Sequence, residues 1–173
     1  EGYSDVTVVT VTAKASGTFS AAKSATDMVD GINVHVVDSG AASIMMGWLL
    51  EEAKQVLDDG GSIEDALTAM EQIKANSAVI FAVTDIRHLA YSGRTKGHER
   101  ATQAAVKIRP IVSIEDGIPQ AVGQERTNKA ALEKVLALAS AKKGAHSWRK
   151  LAIVHAGIPD DAAAWAEKAK ATL

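Results

Sequence analysis

Residues 5–23 read DVTVVTVTAKASGTFSAAK, and how this stretch folds decides what the rest of the chain can be. Val6 to Val11 alternates Val and Thr, β-branched residues that pack well on a pleated surface, and predicts a buried strand. Thr18 to Val29 predicts a helix. Ser16, Gly17, Thr18 and Ser20 therefore stand at a strand-to-helix junction. Glycine permits a tight turn and a close backbone approach there. A helix start presents free N–H groups and the positive end of the helix dipole. With the Ser16 and Thr18 hydroxyls added, the junction suits a carboxylate or a phosphate. The same two hydroxyls can instead do no more than cap the helix. No Walker A lysine pattern follows and GxGxxG is absent, which speaks against a nucleoside-triphosphate loop or a dinucleotide turn.

Outward from this junction the chain alternates. Val34-His35-Val36-Val37 predicts a second strand ending at Asp38-Ser39. Ser43 to Leu57 predicts a helix, with Met46, Leu49 or Leu50, Ala53, Val56 and Leu57 at helical spacing. Gly60-Gly61 stops it. Ser62, as N-cap with Asp65 at N3, opens the next helix, which runs to about Ala75. Alternating strands and helices with short links imply a parallel sheet with helices on its faces. Ligands of such sheets gather at the carboxyl ends of the strands. Ser16, Thr18 and Ser39 are thus candidates for one ligand rim, with Asp38 beside them; capping by Asp38, Ser39 or Ser43 is the plainer alternative.

The rhythm changes near residues 76–78, which divides the chain into lobes of residues 1–77 and 78–173. Val79 to Val83 predicts a strand, Ile86 to Tyr91 a short helix, and Gly97 to Val106 a polar helix ending before Arg109-Pro110. Ile111 to Ile114 and Ile118 to Val122 flank an Asp116-Gly117 turn, the signature of a β-hairpin. Leu132, Val135, Leu136 and Ala139 mark an amphipathic helix; Trp148 to His155 predicts a strand and Pro159 to Ala171 a final helix. A hairpin with flanking helices is an α+β arrangement.

Composition narrows the function. The chain has 173 residues, 47% hydrophobic and 23% charged, which is globular, and its net charge of −2 with dispersed basic residues argues against nucleic-acid binding. Absence of cysteine excludes disulfides, thiolate metal sites and a Cys nucleophile. His35, His88, His98, His146 and His155 show no metal-ligand spacing, and no GxSxG or Ser-His-Asp order stands out. His155 is read as making a structural hydrogen bond at the end of a strand. No apolar run is long enough to span a membrane and no signal peptide is visible, so the expected compartment is the cytoplasm. Arg94 and Arg126, each followed by Thr, can clamp a phosphate or an acidic partner, or simply sit in solvent.

The ordered set SGTFSAA, VVDSGAASIMMGWLLEEA, DDGGSIEDAL, FAVTDIRHLAYSGRT, KIRPIVSIEDGIP and QERTNKAALEKV resembles the DegV family of fatty-acid-binding proteins. The resemblance spans most of the chain. It implies two α/β lobes, a parallel Rossmann-like lobe and an α+β lobe with an antiparallel hairpin, with a long-chain fatty acid held between them. It implies that Ser16, with Gly17 and Thr18, binds the fatty-acid carboxylate, and that Asp38 and Ser39 lie near the ligand. Arg94 and Arg126 match arginines associated with a fatty-acid kinase partner or phosphoryl transfer to an acyl phosphate for phospholipid synthesis. The implied protein is a non-catalytic carrier with no cofactor beyond the bound lipid. Its family carries an N-terminal TS segment and a C-terminal HxGPG segment, and the chain is expected to be a partial one lacking both. Ser92 replaces a family glycine, Arg109 a lysine, and KGHERATQ is more polar than in relatives.

On this view one end of the cleft offers hydroxyls and backbone N–H groups to a carboxylate, and Met45, Met46, Ile80, Phe81, Ile108 and Ile111 are candidates for the apolar tunnel or for ordinary core. The competing expectation is a small-molecule enzyme that binds a phosphorylated or carboxylated ligand at the same anion site, clamped by Arg94 or Arg126.

Overall fold

The structure, a computed structural model, describes residues 2–83, 108–144 and 148–173. It is mixed α/β, with one parallel and one antiparallel sheet. The chain divides into two compact units, Glu1–Val79 with Ile114–Ile118, and Ile80–Ser113 with Pro119–Leu173.

In the first unit β1 (Asp5–Thr10) pairs in parallel with β2 (Asn33–Asp38), and the register sets Thr10 opposite Asp38. Between them α1 (Thr18–Thr26) makes the crossover. It ends three residues before the Val29 expected from composition. Met28 N–H and Val29 N–H bond to Ala25 and Thr26 carbonyls, the i to i+3 pattern that tightens and closes a last turn.

Helices α2 (Ile44–Asp58) and α3 (Ile63–Ala75) supply the core. Met45, Leu49 and Ala53 on α2 and Ala66 and Met70 on α3 recur at a spacing of four and are buried. Leu49, Ala53, Ala66 and Met70 close on Val37 of β2, with Val9, Val56, Leu67 and Ile73 around them. The link between the helices is tight. Gly61 N–H bonds to the Val56 carbonyl at 2.9 Å, and a Cβ on Gly61 would stand 2.7 Å from Val56 Cγ1. Only glycine fits so close a return. The predicted capping box is present, the Ser62 hydroxyl accepting from Asp65 N–H and the Asp65 carboxylate accepting from Ser62 N–H.

The strands β3 (Val79–Ala82), β4 (Arg109–Glu115) and β5 (Ile118–Glu125) form the antiparallel sheet in the order β3-β4-β5. Pro110 stands near the start of the central strand, where its missing N–H costs one ladder bond, and its carbonyl still accepts from Val83 N–H. Asp116 and Gly117 have φ of 49° and 77°, a two-residue turn of type I′, as the Asp-Gly pair predicts.

The second unit packs α4 (Asn128–Lys143) against α5 (Pro159–Thr172). Leu132, Leu136 and Ala169 are its buried core, with Ile153, Trp165 and Leu173 against them. Thr127 caps α4 by accepting from Ala130 N–H, and Pro159 opens α5 where its missing N–H is harmless. The strand expected over Trp148 to His155 does not form; the segment adopts no regular structure. A strand exists only through its ladder partner, and among the described residues none lies beside this segment. The helices expected at Ile86 to Tyr91 and Gly97 to Val106 lie outside the described residues, as do His88, His98 and His146. Among the described residues no helix is long and apolar enough to cross a membrane.

Ser62→Ala is expected to lower stability by about 0.5–2 kcal/mol, read as a lower urea midpoint at unchanged m. At the amino ends of the parallel strands, His35 Nε2 donates to Asp5 Oδ1 at 2.7 Å and Ser4 Oγ donates to Asp5 Oδ2 at 2.7 Å. The hydrogen bond from His35, then that from Ser4, holds the Asp5 carboxyl below its usual range. The Ser62 backbone N–H and hydroxyl do the same to Asp65. Both folded-state values lie below the unfolded ones, so their stabilisation is complete above the ordinary Asp value and is lost as pH falls through the depressed ones. Urea midpoints measured down an acid series should therefore fall less steeply for Asp5→Asn than for the unaltered chain.

Candidate anion site

Beyond Thr10 and Asp38 the ladder stops, and the backbone groups of two loops need other partners. Asp38 supplies one set, its Oδ1 accepting from Gly40 N–H at 2.9 Å and from Ala13 N–H at 3.2 Å. One carboxylate oxygen thus ties the loop after β1 to the loop after β2. Ser39 is fully buried; its N–H bonds to the Thr10 carbonyl and its hydroxyl both donates to the Ala41 carbonyl and accepts from the Ala41 N–H. Both residues of the candidate ligand rim therefore hold the loop itself.

The centre of this network is Thr12, which the sequence did not single out. It is 1% exposed. Its N–H donates to the Ala41 carbonyl, and its carbonyl accepts from Ala15 and Ser16 N–H. Its hydroxyl donates to the Gly117 carbonyl at 2.7 Å and accepts from Lys14 N–H at 3.3 Å. The Lys14 ammonium donates to the Asp116 carbonyl at 2.7 Å. The tip of the β4-β5 hairpin is thereby part of the loop that leads to α1.

From this support rises the Ser16-Gly17-Thr18 turn. Ser16 Oγ and Thr18 Oγ1 lie 2.8 Å apart, and Thr18 N–H donates to Ser16 Oγ at 3.3 Å. Gly17 is the N-cap and lends no side chain, while Ser16 Oγ takes the Thr18 N–H, so Ser16 serves the helix start in part as the capping alternative expects. The next N–H groups of the first turn have no intrahelical acceptor. Gly17 has φ −74°, which any residue adopts, and a Cβ there would meet nothing within 4 Å. Its bareness leaves open space at the helix start. The turn offers hydroxyls and backbone N–H groups in one place, and its ammonium neighbour Lys14 is engaged with the hairpin tip. An anion placed there would meet hydrogen-bond donors rather than a free ammonium.

The other candidates stand elsewhere. Arg126 is exposed in the second unit, just before the Thr127 cap of α4. Arg94 lies outside the described residues. Met45 and Ile111 are buried, while Met46, Ile80, Phe81 and Ile108 are half-buried. His155 accepts from Ile158 N–H through Nδ1 at 3.3 Å, the structural bond expected of it, though in an exposed turn rather than at a strand end. A groove of about 370 Å³ in the second unit is lined by Leu151, Ile153, Pro159 and Ala162, with His155 and Lys170 as its polar members. Lys170 is paired with Glu167 at 2.6 Å.

A parallel strand pair with an open helix start at its carboxyl end, together with a three-stranded antiparallel sheet, defines a mixed α/β class. The model described as "Uncharacterised protein, DegV family" matches residues 1–173, and the chain belongs to the DegV family. A DegV domain-containing protein of Halalkalibacterium halodurans is 29% identical over 162 residues, covering 94% of this chain and 57% of the relative. A DegV lipid binding protein from Thermotoga maritima superposes with TM-score 0.72 at 29% identity, covering 82% of this chain and 49% of that one. Another Thermotoga maritima protein, whose structure is described as revealing a fatty acid binding function, has TM-score 0.81 at 25% identity, covering 98% of this chain and 59% of that one. The chain thus spans between half and three fifths of the length of these relatives.

Gly117→Ala should show how much the hairpin tip matters to the loop. Its φ of 77° disfavours any side chain, and the new Cβ would fall 2.6 Å from Thr12 Oγ1. A loss of about 1–3 kcal/mol is expected in chemical denaturation, against an unchanged value for Gly17→Ala, where the site is open.

Proposed function

We propose that this chain binds a long-chain fatty acid, its carboxylate hydrogen-bonded at the Ser16-Gly17-Thr18 turn, and presents it to a fatty-acid kinase for acyl-phosphate formation. The observation that carries the reading is the start of α1, where the N-cap is a bare glycine and paired hydroxyls stand 2.8 Å apart beside the first turn. A neutral donor cluster fits a carboxylate whose affinity comes mainly from its tail. Burial of an acyl chain contributes about 0.8 kcal/mol per CH₂, so the head group needs orientation more than strength. Fatty-acid and lipid binding by the two Thermotoga relatives supports the class of ligand.

In this reading Ser16 and the first-turn N–H groups hold the carboxylate, and Arg94 and Arg126 face the kinase or the transferring phosphoryl group. The protein is a carrier in the cytoplasm, with the lipid as its ligand and the chemistry left to the kinase. An enzyme acting on a small phosphorylated ligand at the same turn finds less support. Of the ionisable groups in the loops after β1 and β2, Asp38 holds two N–H groups and Lys14 holds the hairpin tip. Both are committed to structure.

The test is extraction of the purified chain followed by mass spectrometry, then titration with a fluorescent long-chain fatty acid. A co-purifying fatty acid is expected. Ser16→Ala should lose about 1.5–3 kcal/mol of binding, roughly 10- to 150-fold in Kd, as for a hydrogen bond to a charged group. Lys170→Ala, in the groove of the second unit, should leave Kd unchanged. No bound lipid, or a loss on Lys170→Ala without one on Ser16→Ala, would overturn the assignment.

A further inference from the structure

We propose that Thr12 is a positioning residue for the carboxylate site, and that it works by locking the tip of the β4-β5 hairpin under the Ser16-Gly17-Thr18 turn. The proposal rests on the reading that this turn receives a fatty-acid carboxylate. Thr12 is 1% exposed, so its side chain has no access to a ligand. Every hydrogen-bonding group it owns is nonetheless engaged, and each engagement reaches a different part of the support. The N–H reaches Ala41 in the loop after β2. The carbonyl takes Ala15 and Ser16 N–H at 3.0 and 3.1 Å, which fixes the backbone of the residue whose hydroxyl faces Thr18. The hydroxyl takes Lys14 N–H and gives its proton to the Gly117 carbonyl at 2.7 Å.

Glycine at 117 belongs to the same device. The buried tip approaches so closely that a Cβ would stand 2.6 Å from Thr12 Oγ1 and 3.6 Å from Gly40 Cα. The Lys14 ammonium makes a second tie to the tip at the Asp116 carbonyl. Valine matches threonine in shape but would leave the Gly117 carbonyl and the Lys14 N–H without their partner. Buried groups left so are costly, and the turn above is free to shift until they find others. A hydrogen-bonding cradle depends on the direction of its donors, so such a shift costs recognition of the carboxylate and leaves tail burial alone.

The experiment compares binding of a long-chain fatty acid with that of the fatty alcohol of the same length. Thr12→Val is expected to weaken the acid by about tenfold or more while the alcohol binds as before, and Thr12→Ser, which keeps the hydroxyl, should restore the acid. Equal losses for acid and alcohol, or none for either, would overturn the positioning role. Lys14→Met, at an exposed position, cuts the second tie without burying anything new and should lower acid binding in the same selective way if Thr12→Val does not fold. Amide hydrogen exchange gives a readout that needs no ligand. In Thr12→Val the Ala15 and Ser16 amides should exchange faster while those of α2 and α3 do not change. If the unaltered chain binds no fatty acid, the proposed function fails, and unaltered Ala15 and Ser16 exchange in Thr12→Val would still sink the role given to Thr12.

Discussion

The rest of the first unit depends on a single constraint, that two parallel strands end side by side and their loops must be satisfied without a ladder. Thr10 faces Asp38 in register as the last rung of the ladder. Backbone groups at such a point are partly shielded from water and need partners. Asp38, Ser39 and Thr12 provide them, and the tip of a hairpin more than a hundred residues away in sequence completes the set. The turn that leads into α1 has its position because this network has no slack.

Stability and site fall to different helices at the carboxyl end of the same sheet. Its hydrophobic cover is the α2-α3 pair, packed on Val37 with Leu49 and Met70 at the centre. By contrast α1 buries no residue fully, although it carries the candidate anion site at its start. The donors there are hydroxyls and N–H groups, whose cost of desolvation is modest beside that of an ammonium.

Much of the fold was legible in the chain because it rests on short-range chemistry. Alternating Val and Thr placed β1, Gly60-Gly61 and Ser62-Asp65 placed the break between α2 and α3, and Asp116-Gly117 announced a type I′ hairpin. The strand expected over Trp148 to His155 shows the limit of such signals. Its apolar run Leu151-Ala152-Ile153-Val154 is suitable, but a strand is a relation between two segments, and composition cannot supply the second. The site was half legible for the same reason. Ser16, Gly17 and Thr18 stand out at a strand-to-helix junction, whereas Thr12 looks like one more threonine in an alternating run.

By itself, then, the sequence determined most of the described elements and their order, the Ser62 cap, the Asp116-Gly117 turn and, through its ordered blocks, the DegV family to which the chain belongs. Only the tertiary structure decided what Asp38, Ser39 and Thr12 do. Local pattern offered Asp38 and Ser39 for a ligand rim and passed over Thr12; the bonds that tie the loops together, Asp38 to Ala13 N–H, Ser39 N–H to Thr10 and Thr12 to Ala41 and Gly117, come only with the tertiary structure. The physical reason is separation. Thr12 and Gly117 are 105 residues apart, and nothing in the neighbourhood of either signals the carbonyl that will meet the hydroxyl.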